Sequence, residues 1–194
     1  MTAQDEFKAI AQDRITRDGI GDLMKWLDDS DFYTAPASTR YHGAHEGGLV
    51  EHSLNVYKRL RQLAATYDYG AGSLEAEWDS LEESIAIVSL FHDLCKVGYY
   101  TTEMRWRKDQ FNRWEQYPTY KKQENYPFGG HGSKSVYLVQ HFMKLKPEEA
   151  SAINCHMGAW DKSDYGNPSE VYDVNLLAWL LHVADEAAAY IDKC

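Results

Sequence analysis

His92 and Asp93 stand side by side inside an apolar stretch, Ser84-Ile-Ala-Ile-Val-Ser-Leu-Phe-His-Asp-Leu-Cys-Lys-Val-Gly98, with Lys96 three residues beyond the acid. A carboxylate in such surroundings is costly unless it is paired or bound to a metal. An adjacent imidazole and carboxylate near a helix end can turn toward one ion. Other residues of the same types recur in or at the ends of apolar segments: His52 with Glu51 beside it, His131, His156 and Asp185. Imidazole and carboxylate together suit a first-row transition ion, Mn, Fe, Co, Ni or Zn, better than Ca. Mg is a further candidate, and one ion or two would fit. The chemistry is that of a metal centre, and each ligand needs an element to hold it.

Those elements are mainly helices. Residues 84–98 read as a helix apolar almost all round, the mark of a segment buried in an α-domain. Residues 49–67 form a helix with His52 early on it and Leu49, Val50, Val56, Leu60 and Leu63 toward the core. The loop at 33–48 ahead of it holds Ser38, Thr39, Arg40, His42 and His45, groups able to hold a ligand on a rigid scaffold or simply to meet solvent. His131 enters a helix that runs to residue 145. The free N–H groups and dipole of its first turn favour an anion, which Lys134 one turn in would also reach. Pro147 and the pair Glu148-Glu149 start the next helix, which ends at His156. Residues 171–192 form the last helix. It has an apolar middle, and His182 lies three residues before Asp185 on nearly the same face. Residues 2–32 read as two amphipathic helices parted near Asp18-Gly19, covering the core, and residues 68–80 read as a loop.

Residues 99–127 have another texture. Tyr99, Tyr100, Trp106, Phe111, Trp114, Tyr117 and Tyr120 alternate with polar residues around a turn near Lys108-Asp109, which predicts a β-hairpin. Arg105, Arg107, Lys108, Arg113, Lys121 and Lys122 make it a basic island in a chain of net charge −10. A substrate flap, a dimer contact and a solvated ribbon all fit that composition. The overall acidity argues against a general nucleic-acid binder but leaves room for a small anion held by local cations. At 194 residues the chain suits one domain over 1–194, with 1–32 as a helical cover and 99–127 as an insertion. Cys95, Cys155 and Cys194 form no paired framework. Cys95 and Cys155 read as small core residues. With no signal pattern and no long apolar run, a cytoplasmic protein without membrane partners is expected.

The ordered ligand set resembles that of the HD-domain superfamily of metal-dependent phosphohydrolases, named for its His-Asp pair. The matching stretches are Gly47-Gly-Leu-Val-Glu-His-Ser53, Phe91-His-Asp-Leu-Cys-Lys96 and His182-Val-Ala-Asp185, with His131 and His156 matching the two additional histidines of members that bind two metals. The resemblance implies an all-α HD-domain helical bundle, here carrying the small β-hairpin. It implies that Asp93 bridges two ions, with His52, His92 and Asp185 on one and His131 and His156 on the other. No Gly-Tyr-Pro signature follows the later histidines, so the cyclic-dinucleotide branch is not supported. The implied activity is hydrolysis of a nucleotide or short oligonucleotide phosphate ester by metal-activated water. Asp93, Lys96 and Glu51 are the candidate catalytic residues; Arg40, Lys96, Lys134, Ser38 and His42 are the candidates for substrate. A small phosphorylated substrate is the expected partner, with a short nucleic acid or a homo-oligomer left open. A di-iron oxygenase of the same superfamily acting on a small polyol or phosphonate, and a 3'-5' exonuclease, are the alternatives.

Overall fold

Thr2 opens the first helix with a reciprocal pair of hydrogen bonds. The Asp5 N–H donates to Thr2 Oγ1 at 3.1 Å and the Thr2 N–H donates to Asp5 Oδ2 at 2.9 Å, satisfying two N–H groups the helix leaves unpaired. The computed structural model describes residues 1–67, 69, 75–123, 129–160 and 168–193, apart from the side chains of 75–79 and 160. In chain order the helices are α1 (Ala3–Arg14), α2 (Ile20–Asp28), α3 (Gly48–Thr66), α4 (Glu75–Phe91), α5 (His131–Phe142), α6 (Pro147–Cys155), α7 (Pro168–Val174) and α8 (Leu176–Ala187). Between α4 and α5 an antiparallel hairpin pairs β1 (Tyr100–Lys108) with β2 (Trp114–Lys122). The molecule is thus mostly helical, with a single small sheet among the described residues.

One apolar cluster joins these helices. It runs from Phe7 through Leu49 and Leu60 of α3 and Ile85 to Phe91 of α4 to Leu177 and Leu181 of α8. The N-terminal helices do more than cover it. Phe7, Leu23, Leu27 and Phe32 are fully buried, and the Phe7 ring lies 6.0 Å from that of Phe91, the residue before His92.

Several boundaries differ from the sequence expectation; the helix expected to run from His131 to residue 145 ends at Phe142. The loop expected at 68–80 is partly helix, because α4 begins at Glu75; its Gly70 and Gly72 lie outside the described residues, as do 124–128 at the end of the expected hairpin and Cys194. The central helix stops at Phe91. His92 and Asp93 occupy a turn, and Leu94–Lys96 is a short 3₁₀ segment. A polar pair that must face one point gains from leaving the helix, where consecutive side chains diverge by about 100°. The last helix is likewise two. Asn175 adopts an extended conformation and caps α8, and its amide donates to the Glu148 carbonyl at 2.9 Å.

The loop ahead of α3 is laced to the core by backbone bonds, Leu49 N to Ala35 O at 3.0 Å and Ala37 N to Gly43 O at 2.8 Å. A Cβ at Gly48 would sit 2.1 Å from the Gly43 carbonyl oxygen, so only glycine lets the loop close on the first turn of α3. That closure brings His42 over His52.

Candidate metal centre

His92 and His156 are each aimed by a backbone carbonyl three residues earlier. His92 Nδ1 donates to Ser89 O at 2.9 Å, and His156, which caps α6, gives Nδ1 to Ile153 O at 2.6 Å. A carbonyl only accepts, so the ring proton sits on Nδ1 and the Nε2 lone pair is left free in the neutral imidazole. Both rings are fully buried. His52 on α3 and Asp185 on α8 complete the group because α3 packs against both α4 and α8.

The ligand atoms converge. His52 Nε2 lies 2.9 Å from Asp185 Oδ1 and 3.7 Å from Asp93 Oδ2, and His92 Nε2 lies 3.4 Å from Asp93 Oδ2 and 3.8 Å from Asp185 Oδ1. The two Nε2 atoms face each other at 3.4 Å. His156 Nε2 is buried without a hydrogen-bond partner among the described residues; Asp93 Oδ1, at 3.7 Å, is an electrostatic contact only. Converging lone pairs and carboxylates, nearly all buried, call for a cation, and the donor set fits a divalent one. Two overlapping groups have ligand atoms within 4.8 Å of one another, His52 with His92 and Asp93, and His92 with His156 and Asp185.

A third such group joins Asp93 to Cys95 and His131. The Cys95 sulfur lies 3.3 Å from His131 Nδ1 and 3.9 Å from Asp93 Oδ1. Here the arrangement departs from the one the resemblance implies. His156 stands with His92 and Asp185, whereas His131 shares its group with a thiol read from the sequence as core packing. Cys95 is buried, as expected, but it faces the site; its place two residues after Asp93 was the available signal. Burial pushes its thiol up to about 12, so it is protonated in the absence of an ion.

Lys96 is the cation already present. Its ammonium meets Asp93 Oδ2 at 2.5 Å in a nearly buried pair. Burial works against both charges, yet the mutual attraction prevails: Asp93 is held well below the usual carboxylate range and Lys96 above the usual lysine one. The His42 ring centroid lies 4.9 Å from that of His52, and burial pushes His42 down to about 4, so it is neutral at pH 7. Lys134 is half-buried, its ammonium 5.6 Å from the Tyr99 ring centroid, and Tyr99 in turn is 6.0 Å from His131. His182 donates Nδ1 to the His156 carbonyl at 2.7 Å and stacks on Tyr172, holding the end of α6 in place.

Three sequence candidates are not brought to the cluster. Glu51 sits one position from His52, and the helix turns it outward, where it pairs with His45 at 2.8 Å on the surface. The Ser38 hydroxyl is spent on its own loop, donating to His42 O at 2.7 Å and accepting from Tyr41 N. Arg40 is exposed, with no contact to the cluster among the described residues.

The family model of the HD domain matches residues 49–190, most of the chain. With that match and the buried His-Asp cluster, the chain belongs to the HD-domain family, a superfamily of metal-dependent hydrolases that bind divalent metals. No curated protein and no solved structure matches it. Among the described residues no helix is long and apolar enough to cross a membrane.

Proposed function

We propose that this protein hydrolyses a phosphate ester of a nucleotide or short oligonucleotide at the cluster of His52, His92, Asp93, His156 and Asp185. The observation that carries this reading is the buried Lys96 ammonium held against Asp93 at the edge of the converging ligand atoms. A bound divalent ion supplies Lewis acidity and a water of lowered pKa. The chain's own residues do the rest. Asp93 and Asp185 both stay ionised, the one beside Lys96 and the other beside His52. Lys96 has three N–H donors and uses one on Asp93, which leaves others for a phosphoryl oxygen that gains charge in the transition state. His42, neutral over His52, and Lys134 beside Tyr99 suit the substrate side of the cluster.

The test is a screen of metal-free protein with each divalent metal restored in turn, against nucleoside mono-, di- and triphosphates and short oligonucleotides. Turnover of one of these with a transition ion is expected. Inactivity toward all of them with every metal would end the proposal, and oxygen-dependent turnover with two irons would replace it by an oxygenase.

A further inference from the structure

The hairpin has two unlike faces. Side chains alternate along a strand, and the register pairs Tyr100 with Lys122, Trp106 with Gln116 and Lys108 with Trp114. One face therefore carries Glu103, Arg105, Arg107, Glu115 and Lys121, and it is electrostatically closed. Arg105 pairs with Glu103 at 2.5 Å, Arg107 with Glu115 at 2.7 Å, and Lys121 with Glu103 at 3.9 Å. The other face carries Tyr100, Met104, Trp106, Lys108, Trp114 and Lys122. Trp106 and Trp114 are 61% and 65% exposed, and neither Lys108 nor Lys122 forms an ion pair among the described residues.

The root of that second face lies beside the elements that carry the site. At its root Tyr100 donates its hydroxyl to Ala37 O at 3.4 Å, in the loop that carries His42. The Lys122 ammonium lies 5.5 Å from the ring centroid of Tyr99, the same ring that Lys134 approaches. From Tyr100 to Trp106 the strand advances about 20 Å at roughly 3.3 Å per residue. A mononucleotide held at the cluster cannot span that distance, whereas a strand of several nucleotides can. Lys108 and Lys122 lie beside rings, Lys108 5.6 Å from the Trp114 centroid and Lys122 beside Tyr99. Exposed indoles interleaved with ammonium groups that carry no carboxylate partner are what single-stranded nucleic acid uses, bases stacking on the rings and phosphates meeting the cations.

Resting on the hydrolase reading above, we propose that the Trp106–Trp114 face of the hairpin binds the bases of a short single-stranded oligonucleotide whose phosphate ester lies at the metal centre. The hairpin then makes the enzyme prefer short oligomers over mononucleotides. A second copy of the chain is the competing occupant. The acidic body would attract a basic arm, but Arg105, Arg107 and Lys121 are already neutralised within the hairpin and leave it little charge to offer.

The test uses the full chain in chelator with a fluorescein-labelled thymidylate hexamer, read by anisotropy, so that binding is measured without turnover. Stacking contributes about 1–3 kcal/mol per base, so removing both rings in Trp106→Ala/Trp114→Ala should weaken hexamer binding by about 30-fold or more. The Phe/Phe variant should retain most of it, and hydrolysis of a mononucleotide by the metal-loaded Ala/Ala variant should match wild type. Equal hexamer affinity in wild type and the Ala/Ala variant overturns the proposal. So does a wild-type dimer in sedimentation that the Ala/Ala variant loses while hexamer affinity stays unchanged. If no phosphate ester is hydrolysed but hexamer binding still falls in the Ala/Ala variant, the hydrolase reading fails and the base-stacking face stands.

Discussion

Nδ1 of His92 and of His156 is committed to a backbone carbonyl within its own turn, so each ring presents a fixed lone pair to the carboxylates. Because the ligand groups overlap, the consequences of removing each residue differ. His52→Ala, His156→Ala and Asp185→Ala should each cost the protein the ion held between α3, α6 and α8, with metal content measured by mass spectrometry. His131→Ala and Cys95→Ala should leave that ion in place and reduce only a second one, if the protein carries two. Asp93→Ala should lower both. Lys96 serves charge rather than coordination. Lys96→Ala should therefore retain the metal and lose turnover by on the order of 10²–10³, the scale of losing one donor to a developing oxyanion. Lys134→Ala should lose less, since its ammonium rests over Tyr99 instead of against Asp93. Phosphate release measured beside metal content separates the two roles.

At the scale of elements, the position of His156 at the end of α6 depends on how that helix is anchored. Glu149 lies in its first turn and is fully buried, accepting two hydrogen bonds from Arg17 at 2.5 and 2.9 Å, one from Ser84 at 2.7 Å and one from the Lys146 N–H at 2.8 Å. Arg17 also reaches Glu83 at 2.9 Å, so the linker between α1 and α2 is tied to α4 and α6 together. Arg17→Ala removes the closest cation from a buried carboxylate, leaving Ser84, the Lys146 N–H and the Lys146 ammonium at 3.9 Å. It should cost up to about 3 kcal/mol, a fall in melting temperature of up to roughly 6–12 °C for a chain of this size. Burial pushes Glu83 up, but the Thr16 N–H and Arg17 outweigh it and hold Glu83 below its ordinary value. A depressed carboxylate stabilises the fold above its unfolded pKa, about 4.3, and the gain is lost as pH falls through the folded value. Glu83→Gln should accordingly be less stable than wild type at neutral pH and flatter in its response to acid, as read from urea midpoints across that range. The contact of α5 with α6 is just as exacting. A Cβ on Gly132 would lie 2.2 Å from the Asn154 carbonyl oxygen, so glycine after His131 lets the two helices approach.

Across the whole molecule the metal centre sits where α3, α4, α6 and α8 meet, so an ion there should stabilise the entire fold. Restoring a divalent ion to chelator-treated protein at about 100 times its dissociation constant adds roughly 2.7 kcal/mol, which scanning calorimetry should read as a melting point higher by about 5–11 °C. No change in melting temperature with any divalent metal would remove the centre's structural role. The sequence alone determined the ligand types, the helical scaffold and the hairpin. Apolar periodicity marks helices locally, and a buried His-Asp pair demands a cation wherever it sits. Tertiary structure decided the rest. The turn that releases His92 and Asp93 from α4, the outward direction of Glu51 and the loop's use of Ser38 are matters of side-chain direction, which residue spacing does not specify to within a fraction of a turn. The grouping of His156 with His92 and of His131 with Cys95 depends on how α5 and α6 pack against each other and α6 against α8. The burial of Glu149 under Arg17 joins residues 132 apart in sequence. Long-range packing sets these distances, and no local pattern carries them.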